Sequence, residues 1–197
     1  MSEDSKTGRR RRLGALAAAV AVAGLVAALV VFKPWLLFVD IRVDEQLPIV
    51  ATAGPAASSP APMSPAPSLP GTTTPPVPAA PVELARGSLL SHEHATTGTV
   101  RIIKQPDGSR VLTLENLDTS NGPDVHVWLS AADVVEGAGG WYTAGSAERY
   151  DLGMIKGNQG NQVYDLPADV ELSKYSSVDL WCVQFSVSFG AAQLVSG

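Results

Sequence analysis

Residues 99–116 read TVRIIKQPDGSRVLTLEN. Two short apolar runs, Thr99–Lys104 and Arg110–Asn116, flank Pro106-Asp107-Gly108-Ser109. Proline presets one turn angle, aspartate closes turns through its side chain, and glycine takes positive φ without steric cost. The stretch therefore predicts a β-hairpin. Its texture repeats outward from Glu83 to the C-terminus, with short apolar runs bounded by turn signals every 8–12 residues. Further strands are expected at Gly87–Ser91, Asp124–Ser130, Gln162–Leu166, Ser177–Phe185 and Val187–Leu194. Asn121-Gly122-Pro123 is a second turn. LGMIKGNQGNQVYDLP at 152–167 reads as a loop entering a strand, and Ser130–Glu136 could form one or two helical turns. The expectation is an all-β domain over 83–197, a single β-sandwich or barrel. That length buries a core without covalent staples.

Upstream lies a run of different character. Residues 13–32, LGALAAAVAVAGLVAALVVF, contain no charge. As a helix the run is roughly 30 Å long, matching a bilayer's hydrocarbon core. Arg9–Arg12 precede it and only Lys33 directly follows it. The positive-inside rule then places residues 1–12 in the cytoplasm and the rest of the chain outside, at the cell membrane. Trp35 and Phe38 fall where aromatic rings favour the headgroup region. The competing reading is a cleaved signal peptide. Ala21-Val22-Ala23 has the small-residue pattern but sits mid-span, and Lys33-Pro34-Trp35 is too bulky for a cleavage site. Both readings put residues 83–197 outside the cytoplasm.

Residues 51–82 hold ten prolines in thirty-two positions and no charge, so they can pack almost no core. A disordered, extended linker is expected, up to about 100 Å long at full stretch. A passive stalk is the simplest role; protein recognition and O-glycosylation are the others. Residues 33–50 form a juxtamembrane segment whose amphiphilic part, PWLLFVDIRVDEQLP (34–48), suits either the membrane surface or packing on a partner.

Charge narrows function. Residues 1–12 sum to +3 and residues 83–197 to −7. Phosphate binding needs concentrated Lys and Arg, so the C-terminal block is no nucleic-acid binder. A single cysteine excludes an intramolecular disulfide framework and a multi-Cys zinc site. There is no GxSxG, HExxH or phosphate loop, so no catalytic residue is assigned.

Four segments carry a resemblance: SHEHATTGTV (91–100), NGPDVHVWLS (121–130), LGMIKGNQGNQVYDLP (152–167) and SVDLWCVQFSVSFGAAQL (177–194). In order and spacing they resemble the DM13 domain family over about residues 84–195. The layout of anchor, Pro-rich linker and one such domain is similar to actinobacterial members. The resemblance implies electron transfer or redox chemistry at the cell surface. It also implies that Cys182, matching the family's late-strand cysteine, serves as a thiol or as a ligand to a prosthetic group.

Read from the residues alone, Val178, Leu180 and Cys182 share one face of a strand, and Asp179, Trp181 and Val183 the other. Cys182 is then either a small buried core residue, a redox or ligand residue, or half of an intermolecular disulfide. Burial would raise its pKa and make it inert. A lone thiol outside the cytoplasm is otherwise open to oxidation. His92 and His94, two apart, could share a metal, and His126 shares a face with Asp124 and Trp128. Three histidines with Cys182 could assemble a copper or haem site. Against this, Phe185, Val187 and Phe189 follow the cysteine where a blue-copper site has His and Met, and no CxxCH exists. Trp128 and Trp181 read as core or rim aromatics. Two functions follow. One is a membrane-anchored redox accessory working with an envelope redox partner through Cys182, with His92, His94, His126 and Trp181 as weaker candidates. The other is a non-enzymatic envelope module binding a ligand or protein, with a structural cysteine.

Overall fold

A computed structural model describes residues 3–50 and 80–197. Helix α1 spans Glu3–Phe32. Its stretch Gly14–Phe32 has mean hydropathy 2.7 and is long and apolar enough to cross a membrane. None of that stretch is buried against protein, and an apolar helix left exposed along its length suits lipid. The helix ends where it must. Lys33 sits in the left-handed region at φ 43 and Pro34 cannot continue the helical ladder, so the chain tightens into a 3-10 turn over Pro34–Phe38.

The strands are β1 (Arg42–Asp44), β2 (Val82–Ser91), β3 (Thr97–Lys104), β4 (Arg110–Asp118), β5 (Val125–Ser130), β6 (Arg149–Met154), β7 (Gln159–Leu166), β8 (Ser177–Cys182), β9 (Val187–Gln193) and β10 (Val195–Ser196). A short helix, α2, occupies Thr143–Ser146. The strands form one sheet in the order β1-β7-β4-β3-β2-β9-β8-β5-β6, with β10 also on β2. Every pairing is antiparallel except β1 on β7. The sheet curls into a half-barrel, which answers the choice between sandwich and barrel.

The curl originates in β2. Its first part pairs with β3, through a bulge between Glu83 and Ala85, and its last three residues pair with β9. A strand that changes partners bends, and a bulge adds twist. At the bend, Gly87 lies so close to the Gln193 carbonyl that a Cβ would overlap it. The concave side is filled by alternate residues, such as Val125, Val127 and Leu129 from β5 facing Val178, Leu180 and Cys182 from β8. The convex side of β5 and β8 is covered too. Residues 131–148 fold over it, and Trp128, Trp181 and Ala144 form a second buried cluster. All of β8 is consequently buried.

Several boundaries differ from the sequence expectation. β8 stops at Cys182, and Val183–Ser186 forms the turn to β9, with Ser186 left-handed at φ 52. Strand β6 ends in Leu152–Met154, residues expected to be loop. Tyr150 and Leu152 reach the core, and Gly153 at the strand's end had disguised the alternation. The helix considered at Ser130–Glu136 does not form. Ser130 Oγ accepts from the Ala132 amide at 3.1 Å and Gln193 Oε1 from the Val134 amide at 2.9 Å, so those N–H groups are engaged elsewhere.

The amphiphilic segment after α1 packs on the domain itself. β1 lies parallel to β7, with Val43 opposite Gly160. Gly160 has φ +96, and a Cβ there would collide with the Val43 carbonyl, so glycine alone lets the two backbones meet. Lys156 Nζ reaches Glu45 at 2.7 Å, and Glu45 also accepts from the Val163 amide at 2.6 Å. The Lys156 ammonium holds the Glu45 carboxyl below its ordinary pKa. The proline-rich stretch expected at 51–82 lies outside the described residues as far as 79. Its flanks, Ile49 and Pro81, line one depression together with Gln105 and Pro106. Ile49 and Pro81 thus lie at one place on the domain, and Lys33–Phe38 link α1 to it along the chain.

Candidate functional site

Cys182 closes β8, opposite Val125 on β5 and Val187 on β9. It is a free thiol with 0% of its surface exposed. The chain leaves it through the turn Val183–Ser186, pinned by the Val183 amide donating to Asp124 O at 2.9 Å. Burial pushes the thiol's pKa up. The backbone N–H groups of Phe185, Gln184 and Asp124 act in the other direction without cancelling it. The resting group is a protonated thiol.

The histidines do not converge on that sulfur. His92 Nδ1 lies 2.7 Å from Ser188 Oγ. Burial pushes the His92 pKa down, and the Val135 carbonyl offsets this only in part. His94 tilts against Phe189 at 3.8 Å between ring centroids, with Nε2 2.6 Å from Glu93. His126 projects from the opposite face of β5, between Asp124 at 3.1 Å and Asp151 at 2.9 Å. Partial burial works to lower the His126 pKa, but the hydrogen bonds to Asp151 and Asp124 outweigh it and raise the value. Among the described residues no group of three or more His, Cys, Asp or Glu is placed to hold a metal ion. A haem or copper ion ligated by Cys182 does not fit these residues. The sulfur offers no open surface, and its neighbours across the sheet are the aliphatic Val125 and Val187.

On the convex side of β8 and β9 the fold buries a group of polar side chains that sequence reasoning missed. Asp179 is 2% exposed, and its Oδ1 has no hydrogen-bond partner among the described residues. Burial pushes its pKa up to about 7, against a hydrogen bond from Ser188. Ser188 Oγ itself meets His92 Nδ1, so Asp179, Ser188 and His92 are buried polar groups on this side of the sheet. Beside them, Trp128 and Trp181 stack at 5.1 Å with an 18° tilt, and the Arg149 guanidinium lies 4.3 Å from the Trp128 ring centre. Strand parity already put Asp179 and Trp181 on one face. That the face is covered depends on residues 131–148, whose path no local pattern reveals.

A depression of about 400 Å³ opens beside the turn after Cys182. His94, Trp141, Tyr142, Phe185 and Phe189 line it, with Asn121–Pro123 at its edge. Its walls are mainly aromatic, with Glu93 as an acidic member.

No curated protein and no solved structure matches the chain. The family model described as electron transfer DM13 matches residues 88–194, more than half of the chain. The matched region runs from within β2 to just past β9, enclosing Cys182, the buried polar groups and the aromatic depression. By that match the chain belongs to the DM13 electron-transfer family.

Proposed function

We propose that this is a single-pass membrane protein with a cytoplasmic N-terminus and an extracytoplasmic β domain, acting at the cell surface as a redox accessory through Cys182. One observation carries the assignment of the residue: the lone thiol is fully buried and is sealed from solvent by a single exposed turn, Val183–Ser186. With no second cysteine in the chain, its exchange partner is another molecule's disulfide. The Cys182 thiolate attacks one sulfur of that disulfide. A new S–S bond forms to Cys182, the old one breaks, and the leaving sulfur departs as a thiolate that takes up the proton Cys182 has lost. Cys182 is oxidised and the leaving sulfur is reduced. The turn Val183–Ser186 must shift for the attack. The family's electron-transfer role and the apolar helix α1 support the setting.

A second reading, a non-enzymatic envelope module that binds a ligand or protein, draws on the aromatic depression beside Phe185. In that reading Cys182 is only core. The two separate when the full-length chain is incubated with oxidised glutathione. The redox reading expects one glutathionyl adduct on Cys182 by mass spectrometry while circular dichroism stays native, reversal by dithiothreitol, and no adduct in Cys182→Ala. Modification seen only after unfolding would overturn it in favour of the structural cysteine.

A further inference from the structure

We propose that the end of the domain carrying the turn Val183–Ser186 rests on the surface of the bilayer that α1 crosses, with Val183 and Phe185 in the neutral lipid interface. This rests on the membrane-anchor reading above and goes beyond it, because an anchor alone would leave the domain free to face any direction.

The tether is short. After Phe32 only six residues, Lys33–Phe38, precede the first bonds to the domain. At about 2 Å per residue in a 3-10 turn they span roughly 12 Å. Val39 O then accepts from Asn121 Nδ2 at 3.1 Å, and Asn158 holds both Asp40 and the Ile41 amide. Asn121 and Asn158 belong to the same end of the half-barrel as the turn after Cys182, since the Val183 amide bonds to Asp124 O and the Thr119 amide to Asn158 O. That end therefore cannot leave the neighbourhood of the span.

The two already touch. Phe32, the last residue of α1, stacks on Phe185 at 6.1 Å, and Gln184 Nε2 donates to Val31 O at 2.9 Å. The side chains presented there suit lipid. Trp35, Val39, Ile41, Met154, Val183 and Phe185 are all exposed. Aromatic and aliphatic groups at a helix exit favour the interfacial region. The nearby carboxylates are engaged, Asp40 with Asn158 and Asp124 with His126. No cluster of Lys or Arg stands with them among the described residues, so apolar insertion drives the contact and anionic lipid is not required. The opposite end, the hairpin turn at Asp107–Ser109, is polar and exposed. With the domain so placed, the sulfur of Cys182 lies one residue behind a lipid-facing turn.

The test uses the full chain in vesicles of phosphatidylcholine alone. A spin label goes on Phe185→Cys, on Val183→Cys or, as reference, on Asp107→Cys, each in a Cys182→Ala background. Accessibility to oxygen and to a water-soluble nickel chelate is read by electron paramagnetic resonance. Labels at 183 and 185 should show several-fold lower nickel accessibility and higher oxygen accessibility than the label at 107. If the protein floats with the vesicles while all three labels are equally open to nickel, the lipid contact is wrong and the anchor stands. If the chain does not float with vesicles, the anchor reading fails and takes this inference with it.

Discussion

Asn158 and Asp40 stand 118 positions apart in the chain, and Asn158 Nδ2 donates to Asp40 Oδ1 at 2.8 Å. The same amide accepts from the Ile41 N–H at 2.7 Å and donates to Thr119 O at 2.8 Å. One fully buried side chain thus fastens the segment that follows α1 to the half-barrel.

Asn158→Ala should orphan the Ile41 amide and the Thr119 carbonyl together. A loss on the order of 1–3 kcal/mol is expected from unpaired buried groups. Hydrogen exchange should quicken at the Ile41 and Gln159 amides, which are bonded across this junction. Unchanged exchange at both would mean that β1 is not held to β7 in solution.

The pH response of stability should carry a signature of His126. Its folded pKa is raised above the unfolded value near 6.5. The stabilisation it contributes is therefore fully present below about 6.5 and is lost as pH rises through the folded pKa. At the acid end the partner Asp151 sets the limit. Its own burial opposes the shift, but the hydrogen bond from His126 leads the effects holding its pKa below the ordinary value. His126→Gln should flatten the profile between pH 6 and 8 by roughly 1 kcal/mol, read as urea midpoints across pH. A profile identical to the parent's would remove His126 as its source.

Asp179 acts over the same range through a different cause. A carboxyl whose folded pKa is raised to about 7 binds protons that the unfolded chain has released, so stability falls as pH rises from about 4 toward 7. Asp179→Asn removes the buried charge and retains the shape. It should be more stable than the parent at pH 8, on the order of 1–3 kcal/mol, with the difference shrinking toward pH 5. Destabilisation by the same amount at every pH would show that the bond to Ser188, and not the buried charge, dominates at this position. Because His126 and Asp179 shift stability in the same direction, the double variant separates their shares.

How much of this was readable beforehand depends on the range of the interaction involved. The hairpin at 105–109, the alternation in VHVWLS and the apolar run at 13–32 are local properties of consecutive residues. Strand parity and helix length are properties of the backbone, so the sequence by itself determined an all-β domain behind one apolar helix and the placement of Cys182 on the apolar face of its strand. The tertiary structure decided what lies across each strand from which neighbour. Residues 131–148 cover the face that carries Asp179 and Trp181, and strand parity, which put the two on one face, could not say what covers it. A burial that depends on a distant covering loop leaves no periodic trace. The three histidines, close enough in type to suggest one metal site, are separated because His126 and Cys182 leave the sheet on opposite faces. The short segment RVD at 42–44, too brief to announce a strand, becomes one because Gly160 lacks a side chain and Asn158 and Lys156 supply partners more than a hundred positions away. Those contacts exist only after the chain has closed on itself, and they set where the domain sits relative to the helix.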